Sequence, residues 1–299
     1  MVQMHDTVVI EAALNGGRSR REHPAVPIMP DEVADEARRC ADAGAQVIHI
    51  HAQDADGAWS ADPAWYRDTL RRIHAIAPGV LISITSIRPA NQPIAVILDL
   101  LTALSAAPET KPHMISINLG HIVAWETAAR GRTTVHFPNT YEEIAAVLMQ
   151  CQHRGIIPEL GVMDLGFVSN AVTLRDDRLL PTRPWFLVEL DSPTYGGGRQ
   201  VAPSTVENYD LIARQLREHF LTAAHAGHGN GQAGYAVIHR ALMMGDHIRV
   251  GFEDAIHLPD STLAPSNAAM VDWAVIAARQ VGREPATAEE TRRIIGIEP

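Results

Sequence analysis

Short apolar runs alternate with longer amphipathic stretches along this 299-residue chain. The apolar runs are continuous rather than alternating, which is typical of parallel strands covered on both faces. They predict eight strands, at residues 7–12, 47–51, 81–85, 114–118, 157–162, 185–190, 220–224 and 247–251.

The stretches between these runs repeat apolar residues at helical spacing. Gly44 and Gly155 follow two of them, where a left-handed residue commonly ends a helix. Acidic residues around Asp31 suit a helix N-terminus. The predicted helices are residues 31–43, 63–76, 92–104, 141–154, 204–217, 234–244 and 267–281, with a further helix at 287–295.

This count of about eight β/α units over roughly 250 residues predicts an α/β fold, a (β/α)8 TIM barrel with a C-terminal helical extension. A doubly wound open sheet is the alternative. No Pro/Ser-rich linker, internal repeat or low-complexity tract divides the sequence. We therefore expect a single catalytic domain over residues 1–299, with its chemistry at the C-terminal ends of the strands.

Composition excludes several classes of protein. Hydrophobic residues make up 46% of the chain, and 25 basic against 35 acidic residues give a net charge of −10. This charge argues against a general nucleic-acid binder or a protein of anionic membranes. Cys40 and Cys151 lack CxxC spacing, which favours two buried thiols in a reducing compartment. No apolar run reaches the ~18 residues of a membrane span, and the N-terminus does not resemble a signal peptide, so we expect a cytoplasmic protein.

Two histidines end the second predicted strand, in the segment VIHIHAQD. His49 and His51 are two residues apart, so their side chains point to the same side of a strand. If they face the barrel interior, they form half of a site for zinc or a similar divalent ion. A pair of histidines satisfied by neighbouring polar groups is the alternative.

The segment DHIRVGFED at the exit of the last predicted strand carries three charged residues. Glu253 could complete a metal site of two histidines and one carboxylate. Arg249 lies within the strand, where an unpaired guanidinium is costly, so it should pair with a carboxylate or an anionic substrate. Asp254 follows at the same edge, and a purely structural Arg–Glu ion pair is the alternative.

Hydroxyl, amide and guanidinium groups follow two further strands. The segment ISITSIRP supplies Thr85, Ser86 and Arg88, and MISINLGH supplies Ser116 and Asn118 on one face. Such groups at a barrel mouth suit a substrate carboxylate or phosphate. A solvated loop with an ordinary surface arginine fits the spacing of the first segment equally well.

Two more segments offer weaker signals. DSPTYGGGRQ, residues 191–200, is typical of a mobile loop at the barrel top and matches no nucleotide-binding motif. His225 and His228, in AAHAGHGNG, could contact a metal or substrate, although histidines satisfied by polar neighbours are the simpler interpretation.

Three segments together resemble the β-keto acid cleavage enzymes, whose named member is the 3-keto-5-aminohexanoate cleavage enzyme. They are VVIEAALNGG, PAVPIMPDEVADEARRCADAGAQVIHIHAQDADG and HIRVGFEDAI…SNAAMVDWAVIAARQVGREPATAEETRRIIG. The resemblance spans nearly the whole chain, and the combination of HxH with HxRxGxED is fairly specific. It implies a TIM barrel that converts a β-keto acid and acetyl-CoA into acetoacetate and a new acyl-CoA.

The resemblance also implies one zinc ion per subunit, a homotetramer and a Claisen-type exchange in which an arginine-oriented aspartate carries the proton. Carried over by position, it implies zinc ligands at His49, His51 and Glu253, catalytic groups at Arg249 and Asp254, and substrate contacts at Thr85, Ser116 and Asn118.

The chain departs from the family pattern around the substrate. Residues 85–88 replace the family's Ser/Thr-Thr-Gly-Gly turn, and we expect Arg88 to substitute for the backbone contacts that the glycines allow. The acidic residues that receive an amino group in the aminohexanoate enzyme have no counterparts in this chain, where Arg18 and Gly161 fall near those positions. We therefore expect a β-keto acid with an anionic or neutral tail.

Two other interpretations also account for part of the pattern. A metal-dependent lyase or an amidohydrolase-like hydrolase uses HxH on a barrel strand as well. An amidohydrolase needs further histidines after the fifth and sixth strands, where this chain has ELGVMD and VELDSP. The second interpretation is a barrel that binds a metabolite without converting it. Such a protein has no need of a metal site and a proton carrier side by side.

Overall fold

Eight parallel strands close into a barrel, which confirms the predicted α/β TIM-barrel fold. The computed structural model describes residues 6–54, 58–89, 92–128, 131–190 and 201–297. The strands are β1 (Thr7–Val8), β2 (Ile10–Ala13), β3 (Val47–Ile50), β4 (Leu81–Thr85), β5 (Met114–Asn118), β6 (Ile122–Ala128), β7 (Gly131–Phe137), β8 (Ile157–Val162), β9 (Trp185–Leu190), β10 (Ala224–Gly229), β11 (His247–Val250) and β12 (Glu284–Pro285). Around the barrel the order is β2-β3-β4-β5-β8-β9-β10-β11, and β11 pairs with β2.

Helices follow the barrel strands and cover their outer faces. Within the described residues they are α1 (Pro30–Ala43), α2 (Pro63–Ile76), α3 (Ala95–Leu104), α4 (Tyr141–Arg154), α5 (Leu165–Asp176), α6 (Val206–His219), α7 (Gly231–Met243), α8 (Asn267–Gln280) and α9 (Ala288–Ile295). Gly44 and Gly155 end α1 and α4 in the left-handed conformation, as predicted. None of these helices is both long and apolar enough to cross a membrane.

The predicted seventh strand, residues 220–224, was wrong, because the strand is β10 at Ala224–Gly229. Its sequence, AHAGHG, is barely apolar, yet five of its six residues are buried. Small residues are needed here because neighbouring elements approach closely. A β-carbon at Gly227 would lie 2.3 Å from a ring carbon of Tyr209. Phe220 instead ends α6 and packs into the core.

Three further elements differ from the sequence-based expectations. The predicted first strand is split, and β1 pairs with β12 outside the barrel while β2 joins the barrel. The antiparallel pair β6–β7 and helix α5 were not predicted. Helix α5 has apolar residues scattered around its circumference, so its sequence carries no clear helical stripe.

An apolar layer fills the N-terminal end of the barrel. Strand residues such as Val47, Leu81 and Trp185 meet Ala286 and Ile295, which come from the C-terminal extension. The extension therefore packs against one end of the barrel interior, and its helix α9 confirms the predicted C-terminal helix.

Ile295→Ala tests how much this packing contributes. Ile295 is 1% exposed, so removal of its side chain should leave a cavity and lower the free energy of unfolding by about 2–4 kcal/mol. Ile276→Ala is the matched control, because Ile276 on α8 is 56% exposed, and a change within about 0.5 kcal/mol is expected there. Urea denaturation of both variants measures the difference. Equal effects would show that α9 does not stabilise the barrel.

Candidate active site

Polar side chains form a ring inside the barrel, on the C-terminal side of the apolar layer. Most of these residues lie directly opposite one another on neighbouring strands. The Cα partners are Glu11 with Arg249, His49 with Ser83, Thr85 with Ser116, Ser116 with Glu159, and Glu189 with His228.

His49, His51 and Glu253 converge within this ring, and their ligand atoms lie within 4.8 Å of one another. The two Nε2 atoms of His49 and His51 are 3.0 Å apart. The carboxylate of Glu253 lies 3.4 Å from Nε2 of His51 and 3.6 Å from Nε2 of His49. Oε2 of Glu253 is buried and makes no hydrogen bond to a described residue. Two imidazoles and a carboxylate in this arrangement can hold a divalent metal ion.

Ser83 sets the tautomer of His49. The Ser83 hydroxyl donates to Oε2 of Glu159 at 2.8 Å, so it accepts from Nδ1–H of His49 at 3.1 Å. The lone pair of His49 is then on Nε2, toward His51 and Glu253. Burial lowers the pKa of His49 well below its ordinary value, and the nearby Arg249 reinforces this shift. A neutral imidazole with this tautomer is the form that binds a metal.

Two glycines allow Glu253 to reach the histidines. Gly251 has φ of 142°, and a β-carbon there would lie 2.1 Å from the carbonyl oxygen of Ala13. Gly16 has φ of 53°, and a β-carbon there would lie 2.3 Å from Cγ of Glu253. Any larger residue at either position would displace the chain or the carboxylate.

Asn15 holds the backbone of His51 just beyond the end of β3. Its Oδ1 accepts from His51 N–H at 3.0 Å, and its Nδ2 donates to His51 C=O at 2.9 Å. These bonds satisfy two buried backbone groups that no strand partner reaches. The sequence analysis did not find this residue, since an asparagine after a strand is also an ordinary loop residue.

Arg249 and Asp254 form a buried bidentate pair beside this group. Nε and Nη2 of Arg249 donate to the two carboxylate oxygens of Asp254 at 3.0 and 2.9 Å. Nη2 also lies 2.8 Å from Glu253. Burial would raise the pKa of Glu253, but Arg249 and the two histidines lower it well below its ordinary value, so Glu253 is ionised.

Thr85, Ser116 and Asn118 line one narrow cavity of about 20 Å³ together with the groups above. This volume holds about one water molecule, so a keto acid would need the surrounding side chains to move apart. Gly161 gives Asn118 its room, because a β-carbon at 161 would lie 2.2 Å from Oδ1 of Asn118. Three of the predicted substrate-binding residues are thus brought together with the convergent histidines.

Ser86 and Arg88 lie apart from this cavity, as far as the described residues define it. Arg88 donates to Glu143 at 2.8 Å and to the carbonyl of Pro138 at 3.1 Å, which ties the loop after β4 to the start of α4. Ser86 is buried, and its N–H donates to the carbonyl of Ser116. Contact of either residue with a substrate stays a prediction. The predicted top loop, residues 191–200, is outside the described residues.

Three glutamates that the sequence analysis did not single out line or underlie the cavity. Burial and the neighbouring Glu159 raise the pKa of Glu11 well above its ordinary value. Burial also raises the pKa of Glu189 to about 8, although Arg249 opposes this shift. A carboxyl group with this pKa is protonated at neutral pH and can donate a hydrogen bond, whereas the ionised carboxylate of Glu253 can only accept one. A lone glutamate within an otherwise apolar strand was the available signal for all three.

Comparison with known proteins places the chain among enzymes of one kind. A model of the β-keto acid cleavage enzyme family matches residues 7–297. The chain is 28% identical over 295 residues to the 3-keto-5-aminohexanoate cleavage enzyme of Fusobacterium nucleatum subsp. nucleatum, covering 98% of this chain and 99% of that relative. It is 25% identical over 300 residues to the 3-oxoadipate:acetyl-CoA acetyltransferase of Cupriavidus necator, covering 98% and 96%.

Among solved structures, apo ObcA superposes with a TM-score of 0.75 at 19% identity. The match covers 91% of this chain and 66% of that one, so this chain spans just under two thirds of the length of ObcA. At this identity the likeness shows the barrel fold alone.

Proposed function

Because the chain belongs to the β-keto acid cleavage enzyme family, we propose that it exchanges a β-keto acid with acetyl-CoA to give acetoacetate and a new acyl-CoA. The observation that carries this proposal is the buried Arg249–Asp254 pair beside the convergent His49, His51 and Glu253. A Claisen-type exchange needs stabilised negative charge on a carbonyl oxygen and a nearby group that moves a proton. This cluster offers both.

We propose that His49, His51 and Glu253 hold one zinc ion per subunit. The Nε2 lone pair of the neutral His49, the nearby Nε2 of His51 and the ionised Glu253 oxygen without a hydrogen bond fit a nitrogen- and oxygen-binding divalent ion. When bound, such an ion supplies Lewis acidity to the oxygens of the keto acid.

Asp254 is the proposed proton carrier, and Arg249 orients it. Both carboxylate oxygens of Asp254 accept from the guanidinium, so the side chain has one fixed orientation. Arg249 is itself held by Glu253, whose carboxylate lies 2.8 Å from Nη2.

Thr85, Ser116 and Asn118 are proposed to bind the carboxylate or carbonyl of the keto acid, because all three line the cavity. Ser86 and Arg88 belong to the same proposal, and Arg88 would reach a substrate only by leaving Glu143.

The substrate tail is proposed to be anionic or neutral rather than cationic. Arg18 is next to the site, where its Nε donates to the carbonyl of Phe252 at 3.1 Å. Gly161 has no side chain and therefore provides no carboxylate, and Asn118 fills the space beside it. Neither position can neutralise an amino group of the kind carried by the substrate that the Fusobacterium relative is named for.

An assay with zinc-loaded protein and acetyl-CoA tests the reaction and the tail separately. The panel consists of 3-keto-5-aminohexanoate, 3-ketohexanoate and 3-oxoadipate. We expect acetoacetate only when acetyl-CoA is present, with the neutral or dicarboxylic acid turned over faster than the aminated one. No acetoacetate from any of the three would refute the reaction, whereas a preference for the aminated acid would refute only the proposed tail.

The chain is further proposed to act as a single-domain subunit of a cytoplasmic homotetramer, with no nucleic-acid or membrane partner. The full-length family match and the acidic net charge of −10 support this. Light scattering of the purified protein gives the subunit number directly.

Asn15→Ala tests the support behind His51. The substitution leaves the buried N–H and C=O of His51 without partners, which should lower the free energy of unfolding by about 1–3 kcal/mol. Zinc affinity should fall roughly 10- to 100-fold, as for other residues that hold a metal ligand in place. Competition with a chromophoric chelator measures the affinity. Unchanged zinc affinity would show that Asn15 supports the loop and not the site.

A further inference from the structure

A second cavity lies at the opposite end of the barrel, beside the N-terminal ends of β9, β10 and β11. Its volume is about 530 Å³, within the range of small-molecule sites. The loop after α6 and helix α9 form much of its wall. It shares no lining residue with the candidate active site, so an occupant would not compete directly with substrate.

Three guanidinium groups line this cavity, from Arg183, Arg217 and Arg293, against the single carboxylate of Asp246. That carboxylate is already engaged, because the hydroxyl of Tyr209 donates to it at 2.5 Å and Arg217 pairs with it. The cavity therefore carries an excess positive charge within a chain whose net charge is −10.

Arg183 and Arg293 are exposed arginines on the rim of the cavity. Neither makes a side-chain hydrogen bond or ion pair with another residue that the structure describes. For Arg293, the nearest acidic residue along the chain is Glu290. The carboxylate of Glu290 accepts from the hydroxyl and the N–H of Thr287 at the start of α9. Arg293 contributes only a minor lowering of the pKa of Glu290. Two guanidiniums on one cavity thus keep their donors available to a ligand.

His225 forms part of the cavity wall. It is 6% exposed, and its Nδ1 lies 3.9 Å from Asp246. Its Nε2 is buried and has no hydrogen-bond partner among the described residues, so a bound oxygen would not reach this atom. The proposed contacts of a ligand are therefore the arginines.

We propose that this cavity binds a small doubly charged oxyanion, with Arg183 and Arg293 as its principal contacts. Planar guanidiniums bind phosphate or carboxylate oxygens through paired donors, and two of them suit an anion of charge −2. Phe220 and Ile294 on the same wall leave room for an apolar portion of the ligand. A phosphate ester and a dicarboxylate share this chemistry.

Calorimetric titration of the full-length protein with inorganic phosphate and, separately, with succinate distinguishes the two sources. We expect saturable binding of at least one of them at roughly millimolar concentration or below, and a loss of at least about tenfold in affinity in the R183A/R293A variant. R38A/R72A is the matched control, because it also removes two arginines, both paired with aspartates outside the cavity.

Binding that persists in R183A/R293A would overturn the proposal, as would the absence of saturation with both anions. Light scattering of R183A/R293A gives a second readout. A changed subunit number would show that these arginines serve contact between copies of the chain, which would also overturn the proposal. The inference is independent of the proposed reaction, since none of its residues lies in the active-site cavity.

Discussion

Glu253→Ala is expected to abolish zinc binding and acetoacetate formation together. Among the described residues, Glu253 is the only acidic residue that groups with both His49 and His51, with all three ligand atoms within 4.8 Å of one another. Two histidines alone leave the ion weakly held. Loss of a Lewis acid removes several kcal/mol of stabilisation from the transition state, so the rate should fall by about 10³-fold or more.

Metal analysis and the acetoacetate assay, performed on the same preparation, measure both effects. Glu142→Ala is the control, because Glu142 is an exposed residue in the first turn of α4 and should leave both quantities unchanged. Removal of the metal from the unaltered protein with a chelator should reproduce the activity loss, and added zinc should restore it. Full zinc content with normal turnover in the alanine variant would rule out the proposed ligand.

The barrel could be predicted from the sequence because its strands are buried on both faces and therefore consist of continuous apolar runs. The exception is β10, whose residues were selected by space rather than by hydrophobicity. Gly227 meets the ring of Tyr209, and Gly229 packs against Gly234, so larger apolar residues cannot be accommodated there. A continuous apolar run therefore predicts a strand only where large side chains fit between that strand and the helices that cover it.

The histidine and carboxylate cluster could be predicted because strand ends of a barrel meet at one edge, which brings His49 and Glu253 together from distant parts of the chain. Arg88 is different, since it also follows a strand, yet its partner is Glu143 on α4. The direction of a long side chain depends on which charge is nearest in three dimensions, and the spacing of residues along a loop does not encode that. Asn15 was missed for another reason, because it bonds only backbone groups and an asparagine after a strand is also an ordinary loop residue.

Asp254→Asn is expected to retain zinc but to lose about 10²- to 10⁴-fold in turnover, the usual contribution of a group that transfers a proton. Asparagine has nearly the size of aspartate, and the proposed zinc ligands His49, His51 and Glu253 remain intact. It cannot accept a proton at neutral pH, however, and its amide NH₂ cannot accept from Arg249, which loses one of its two bonds to this side chain.

The combination of zinc content and rate separates a proton carrier from a structural partner of Arg249. If Asp254 only held the arginine, Asp254→Asn and Arg249→Lys would reduce turnover to a similar extent and leave the same pH profile. If Asp254 carries the proton, Arg249→Lys keeps the carboxylate, so it should retain more activity than Asp254→Asn. Zinc-replete Asp254→Asn with near-normal turnover would exclude Asp254 as the proton carrier.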